Sequence, residues 1–499
     1  MSIRALASET AIYGLSSILG RALYFLLVPL YTSLFATYEM GAQTTVFAVF
    51  SFLFVFAGLR LDVAYFRQFK DVSDERALFG TAWLTTAGVS GLLGLLLLGL
   101  SPKLAAWYGF PEYQWLFALA GGILFFDALV ELPLARLRMT QRPWRFAVIR
   151  LGGTILNLGL NLFWLYLLPR WPAAPEWLAT DFGGVAYIFL ANLCASIAVF
   201  VALLPELRGM TWRIDPSELR RLLAFSLPLV VVGFGFIVNE MLDRTLLPLL
   251  WPGGTAEGQA LNGIYSQNYK LATLLALFTQ AFRYGAEPFF FREAGERGAQ
   301  AKYARVARLY LVAALLGALA VAVFLPLASQ FFLQDPAYRT GSDVVLILLA
   351  ANVCLGLYYN FSVWYKVTDA TRVGAVISVG GALVTIVLNL ALIPRYGFYG
   401  CAWATLACYA AMLTTTYLWG QRRYPVPYQI GVMTAYALAA FGLAAVAYVA
   451  VPAVAGRGML DLAVDGGDFG TWALVVAIGL ATLVAFCGLV WTVERRLSL

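Results

Sequence analysis

Several charged side chains stand where hydrocarbon is expected. Arg21 lies inside LSSILGRALYFLLVPLYTSLF (15–35), and Lys270 lies in a second apolar run. Ser266, Thr273, Gln280, Tyr284 and Glu287 share a helical face with Lys270, and Arg283 lies beside it. Arg60 and Asp62 close another apolar run, and Asn239, Glu240, Asp243 and Arg244 interrupt a further one. A charge at the bilayer centre costs about 3 kcal/mol on insertion scales, so such groups face protein or water. Guanidinium groups grip phosphate oxygens bidentately, and an ammonium supplies a point charge. Arg21, Arg60, Arg244, Lys270 and Arg283 are therefore candidate ligands for an anion, above all a diphosphate. Asp127 and Glu131, one helical turn apart, can retain a proton or hold a cation. With Asp62, Glu240 and Asp243 they are the candidate sites for a coupling ion, H+ or Na+.

Each charge also has a structural explanation. Glu240 with Arg244, and Arg283 with Glu287, have the spacing of ion pairs within a helix. Arg60 and Arg283 lie near span ends and can snorkel. Asp127 and Glu131 can pair with Arg136 or with an arginine of a cavity. Arg21 lies on a stripe with Thr10, Tyr13, Ser17 and Tyr24, and a helix–helix ion pair would satisfy it. Arg150, Thr154, Asn157 and Asn161 form another stripe, for which hydrogen bonding between helices suffices.

Composition narrows the chemistry. Of 499 residues 61% are apolar and 12% charged, which points to a polytopic membrane protein. Histidine is absent, so imidazole ligands, bases and proton relays are excluded. The five cysteines fall in apolar segments and read as small buried hydrophobes; no metal centre or cofactor is expected. The first apolar run is long enough to span, so MSIRALASE reads as a mature N-terminus and not as a cleaved signal.

Fourteen apolar runs long enough for a ~30 Å core can be placed, from 9–35 to 471–492. The one at 221–250 reads as the least apolar. With the N-terminus inside, every inner loop is rich in Arg and Lys; Lys70, Arg142, Arg213, Arg297 and Arg422 are examples. The outer loops hold Lys103, Arg170, Arg339, Arg395 and Arg457. This bias places both termini in the cytoplasm. It also makes the net charge of +7 a mark of topology, with no nucleic-acid partner implied. The outer loops 169–182 and 451–470 are too short for a catalytic domain, so no enzyme is expected; Asp461, Asp465 and Asp468 read as solvated loop.

The chain repeats itself. RFAVIRLGGTILNLGLNLFWLYLLPR (145–170) matches RVGAVISVGGALVTIVLNLALIPR (372–395). Arg138-Met-Thr140 matches Lys366-Val-Thr368, and Asn161 matches Asn389, both 228 residues apart. GLRLDVAYFRQ (58–68) resembles AFRYGAEPFFFRE (281–293). The expected fold is all-α, with two parallel six-helix repeats, lobes 1–212 and 213–424, and two further helices in 425–499. Such paired lobes suit a transporter that alternates access to a site between them.

The opening LASETAIYGLSSILGRALYFLLVPLYTSLFATYEMG resembles the Wzx-like O-antigen flippases of polysaccharide biosynthesis. They belong to the multidrug/oligosaccharidyl-lipid/polysaccharide exporter superfamily. Gly20-Arg21, the PLYTSLF at 29–35, Glu39 and Gly41 carry the likeness; Tyr38-Glu39-Met40-Gly41 departs slightly from the usual pattern. The resemblance implies a V-shaped transporter of the bacterial inner membrane. It implies movement of undecaprenyl-diphosphate-linked repeat units for lipopolysaccharide, with polysaccharide polymerase machinery and membrane lipids as partners. Related lipid II flippases line their cavity with basic residues from spans 1, 2 and 8, which here are Arg21, Arg60 and Lys270 or Arg283. Their last two helices form a groove for the lipid tail. The alternatives are a lipid II-type flippase and a cation-coupled multidrug exporter on the same scaffold.

Overall fold

The computed structural model describes residues 19–69, 74–172 and 184–498. Thr10, Tyr13, Ser17 and Lys70 lie outside the described residues. Every regular element described is helical. Eleven helices are long and apolar enough to cross a membrane. They are α2 (Thr37–Gln68), α3 (Glu75–Trp107), α4 (Pro111–Met139), α5 (Pro143–Arg170), α6 (Ala186–Leu207) and α7 (Pro216–Leu250). After these come α9 (Ala299–Val323), α10 (Val344–Val367), α11 (Thr371–Tyr396), α13 (Ile430–Ala455) and α14 (Phe469–Arg496). A shorter apolar helix, α1 (Leu19–Leu34), precedes them. Two long but less apolar helices, α8 (Thr255–Glu293) and α12 (Phe398–Arg423), complete the order. Among the described residues each of the fourteen expected segments is helical, the first from Leu19 onward. The expectation that 221–250 is the least apolar fails: α7 passes as a span, while α8, studded with Gln, Asn and Lys270, does not.

The chain forms two compact units. Unit 1 comprises residues 1–27 and 38–262; unit 2 comprises 28–37 and 263–499.

In unit 1, α3 packs along α4, and α4 and α5 pack on α6. Gly94 and Gly121 set the α3–α4 spacing: a Cβ on Gly94 would lie 2.9 Å from the Gly121 carbonyl oxygen. Small residues at such crossings let backbones approach, which is how helices associate in lipid. Leu61, Tyr65, Phe79, Trp83 and Leu132 form the core beside the second half of α2. Glu75 binds this end together, pairing with Arg136 at 3.1 Å and accepting from the Tyr65 hydroxyl at 2.7 Å. Buried Glu206 pairs with Arg145 at 2.7 Å. Arg136, a proposed partner of Asp127 and Glu131, is thus engaged by Glu75. Asp215 caps α7; hydrogen bonds from the Ser217 hydroxyl and the Ser217 and Glu218 amides hold its carboxyl below the usual range.

In unit 2, α10 and α11 pack on α12, and α13 and α14 on α9. Leu311, Leu315, Tyr436 and Phe486 build the α9–α13–α14 core. At one end of α14, Glu494 pairs with Arg308 at 3.0 Å and accepts from the Tyr436 hydroxyl at 2.8 Å. At the other, Gln330 donates to carbonyls of the short helix Met459–Asp465, and Arg339 donates to the Val464 carbonyl at 3.0 Å. Two of the acids expected to be merely solvated are caps: Asp461 accepts from the Gly458 amide and Asp468 from the Thr471 amide. The cysteines are free thiols, with Cys401 and Cys408 buried and, contrary to expectation, Cys487 exposed.

Residues matched in the sequence repeat share local backbone features. Thr140 Oγ1 donates to the Arg136 carbonyl at 2.9 Å, and Thr368 Oγ1 to the Trp364 carbonyl at 2.8 Å. The next residue turns left-handed in both copies, Gln141 at φ 54° and Asp369 at φ 53°. Asn161 Nδ2 donates to the Asn157 carbonyl at 2.9 Å, as Asn389 Nδ2 does to Thr385 at 2.8 Å. These asparagine bonds run along their own helices.

Candidate functional site

The repeat has one asymmetry. α8 runs unbroken past Arg283, whereas α2 breaks at the corresponding Arg60 into Thr37–Gly58 and Leu61–Gln68. Leu59 and Arg60 adopt φ 47° and 53°, left-handed values that cost a non-glycine residue about 1–3 kcal/mol. Irregular backbone within a span is tolerated where it is buried in protein or lines a cavity, which makes this break a candidate site.

A cavity of about 270 Å³ opens at the break, within unit 1. Phe50, Phe54 and Ile237 supply apolar wall. Arg60, Asp62, Glu131 and Thr86 supply polar wall. Arg60 is exposed, with Asp62 and Glu131 half-buried. Gly233 of α7 makes room for the guanidinium: a Cβ there would stand 3.0 Å from Arg60 Nη2. Arg150, Asp62, Arg138 and Arg60 are the charges that act on Glu131.

The other expected residues of unit 1 divide into two groups. Arg21 is exposed on α1, and Gly20 beside it lies against Thr154 of α5. Asp127 accepts a hydrogen bond from Ser196 and lies within electrostatic reach of Arg150 and of Tyr24 on α1. Asp127 is thus engaged by α6, while Glu131, one turn on, faces the cavity. Arg244 and Asp243 are buried. They pair at 3.6 Å, and Arg244 Nη1 also donates to the Glu240 carbonyl. The expected Glu240–Arg244 contact is therefore made through the main chain.

In unit 2, Lys270 Nζ donates to Gln267 Oε1 at 2.8 Å and stands 5.8 Å from the Tyr31 ring centroid. Arg283 pairs with Glu287 at 3.2 Å, as its spacing suggested, and Lys366 shares that carboxylate at 2.9 Å. The Arg283 guanidinium lies 3.9 Å from the Tyr359 ring centroid, a cation–π contact that keeps it beside an aromatic face. Sequence reasoning missed Lys366, Gly233 and Thr86 as parts of these arrangements. Lys366 stood in the matched repeat; Gly233 and Thr86 carry no spacing signal.

No family model and no curated protein matches this chain. Among solved structures, the lipid II flippase MurJ in an inward closed conformation matches with TM-score 0.71. Identity is 13%, over 97% of this chain and 99% of that one. An inward-facing multidrug resistance MATE family transporter of the MOP superfamily matches with TM-score 0.57, at 16% identity. It covers 80% of this chain and 94% of its own. A MOP superfamily transporter from Pyrococcus furiosus, described as having a binding pocket of reverse polarity, matches with TM-score 0.55 and 15% identity. It covers 83% of this chain and 95% of its own. At these identities the likeness establishes the fold, which is that of the MOP transporters.

Proposed function

We propose that this protein is a flippase of the bacterial inner membrane, not an enzyme. Its substrate is an oligosaccharide repeat unit, of the O-antigen kind, on undecaprenyl diphosphate. One observation carries the reading: Arg60 is held at a strained break inside a span, in a recess that Gly233 keeps open, and lines a cavity. A guanidinium can grip diphosphate oxygens bidentately, and Arg60 is the group of this wall that would do so. Arg21, Lys270 and Arg283 are the further cations of the grip. Buried Arg244, paired with Asp243, supports it from within α7. The repeats 1–212 and 213–424 act as the alternating lobes. The residues 425–499 carry the prenyl tail, consistent with exposed Leu438, Phe441, Val449 and Val484 on α13 and α14.

The lipid II flippase accounts for 97% of the chain, the MATE transporter for 80%. The test is transport of a diphosphate-linked oligosaccharide lipid in proteoliposomes, together with analysis of lipid-linked repeat units trapped in a deletion strain. Arg60→Ala and the pair Arg21→Ala/Lys270→Ala are expected to cut transport at least tenfold in folded protein. Full transport by the double variant, or preferential binding of an organic cation, would defeat the proposal in favour of a multidrug exporter.

A further inference from the structure

The duplication repeats a charge arrangement but moves its acid. In unit 1, Arg60 shares its cavity with Glu131, on which Arg138 also acts. At the repeat offset of 228 residues Lys366 matches Arg138, and Tyr359 stands where Glu131 does. Unit 2 restores the carboxylate on another helix. Glu287 lies one turn beyond Arg283 on α8, where unit 1 has Ala64 one turn beyond Arg60. Glu287 Oε1 accepts from Arg283 Nη2 at 3.2 Å and from Lys366 Nζ at 2.9 Å. A single oxygen thus serves cations from both α8 and α10.

That carboxylate only partly satisfies the groups around it. Two cations against one acid leave a net positive charge. The Arg283 guanidinium lies 3.9 Å from the Tyr359 ring centroid, and among the described residues its shielded Nε–H has no hydrogen-bond partner. The Nε and Nη2 hydrogens form one edge of the guanidinium fork, an edge that suits two oxygens of a phosphate. Glu287 fills half of it and leaves the other donor unused, which is unfavourable for a shielded group. The three side chains are also within reach of solvent: Arg283 is 37% exposed, Glu287 38% and Lys366 27%. Ion pairs at such exposure contribute little to stability, so an anion of higher charge can displace the carboxylate.

We propose that Glu287 is a displaceable competitor for the anion that Arg283 and Lys366 bind, and that Lys366 is a further cation of the diphosphate grip. Phosphate oxygens take the Nε/Nη2 edge and the Lys366 ammonium while Glu287 turns to water. On release the carboxylate reclaims both cations. Glu287 thereby sets tightness of binding against ease of release. The identity of the anion rests on the flippase reading, whereas the competition is measured with no lipid present.

The experiment titrates the purified full-length protein with inorganic pyrophosphate, by calorimetry at constant ionic strength, beside thermal unfolding. Glu287→Gln keeps the shape of the side chain and removes its charge. It is expected to bind pyrophosphate about fivefold tighter than the parent, the scale of one partly exposed ion pair. Glu287→Asp keeps the competing charge and shows no such gain. Lys366→Met is expected to bind several-fold more weakly, and it secures the test if the Glu287 variants misfold. Glu293→Gln removes the same charge at the end of α8, where the partner is Lys302, and leaves the affinity as it was. In proteoliposomes Glu287→Gln should turn over several-fold more slowly, because release is impeded; parent-like turnover overturns the release role. The proposal is overturned if Glu287→Gln binds no tighter than the parent, if Glu293→Gln gains as much, or if Lys366→Met binds like the parent. Loss of transport in Arg21→Ala/Lys270→Ala with no gain in Glu287→Gln defeats the competition alone. A gain in Glu287→Gln with full transport in that pair defeats the flippase reading alone.

Discussion

Arg60 and Arg244 are the same residue type, each within an apolar run, and the structure gives them opposite surroundings. Arg244 is 7% exposed and pairs with Asp243; Arg60 is exposed at a break, against the bare backbone of Gly233. Gly233→Ala brings a methyl group 3.0 Å from a guanidinium nitrogen, close enough to push it aside. The flexible end of Arg60 yields, so the thermal midpoint should stay within the noise while transport falls several-fold. Gly233→Leu should deepen the loss. Transport assays paired with unfolding curves check this. The charged residues of the cavity were legible because a charge in an apolar run is conspicuous. Gly233 and Thr86 were not, since one acts by lacking a side chain and the other by declining a local bond.

Helices were legible nearly throughout, because apolar runs of bilayer length leave few alternatives. The repeat was legible too, and the paired turns after α4 and α10 show it acting on backbone conformation. Gln141 and Asp369 both occupy left-handed positions. Gln141→Val should lower stability by about 1–2 kcal/mol, since a β-branched residue tolerates positive φ least. Gln141→Gly should be neutral or stabilising, and the same pair of changes at Asp369 should behave alike. Thermal unfolding of the four variants decides it. The break in α2 was not foreseen. Gly58 hints at it, but Leu59 and Arg60 have no local preference for positive φ, so the conformation is imposed by packing.

At the scale of the whole chain, the fourteen-helix order follows from hydropathy, and the outer-loop exceptions have local reasons. Arg339 is 9% exposed and donates to the carbonyls of Leu333, Gln334 and Val464. It is therefore a clamp on main-chain oxygens. With Gln330 it fixes one end of the α13–α14 pair, while Arg308, Tyr436 and Glu494 fix the other. Glu494→Ala removes the acceptor from both partners and should cost about 1–3 kcal/mol. Hydrogen exchange should then rise across 430–496 with 74–139 unchanged; uniform change in both would contradict a local tie.

The bend in α2 works as a loaded spring. Two residues held against their preference store a few kcal/mol, and straightening the helix would release it. Relaxing Leu59 and Arg60 out of the left-handed region would straighten the rod and carry the guanidinium with it.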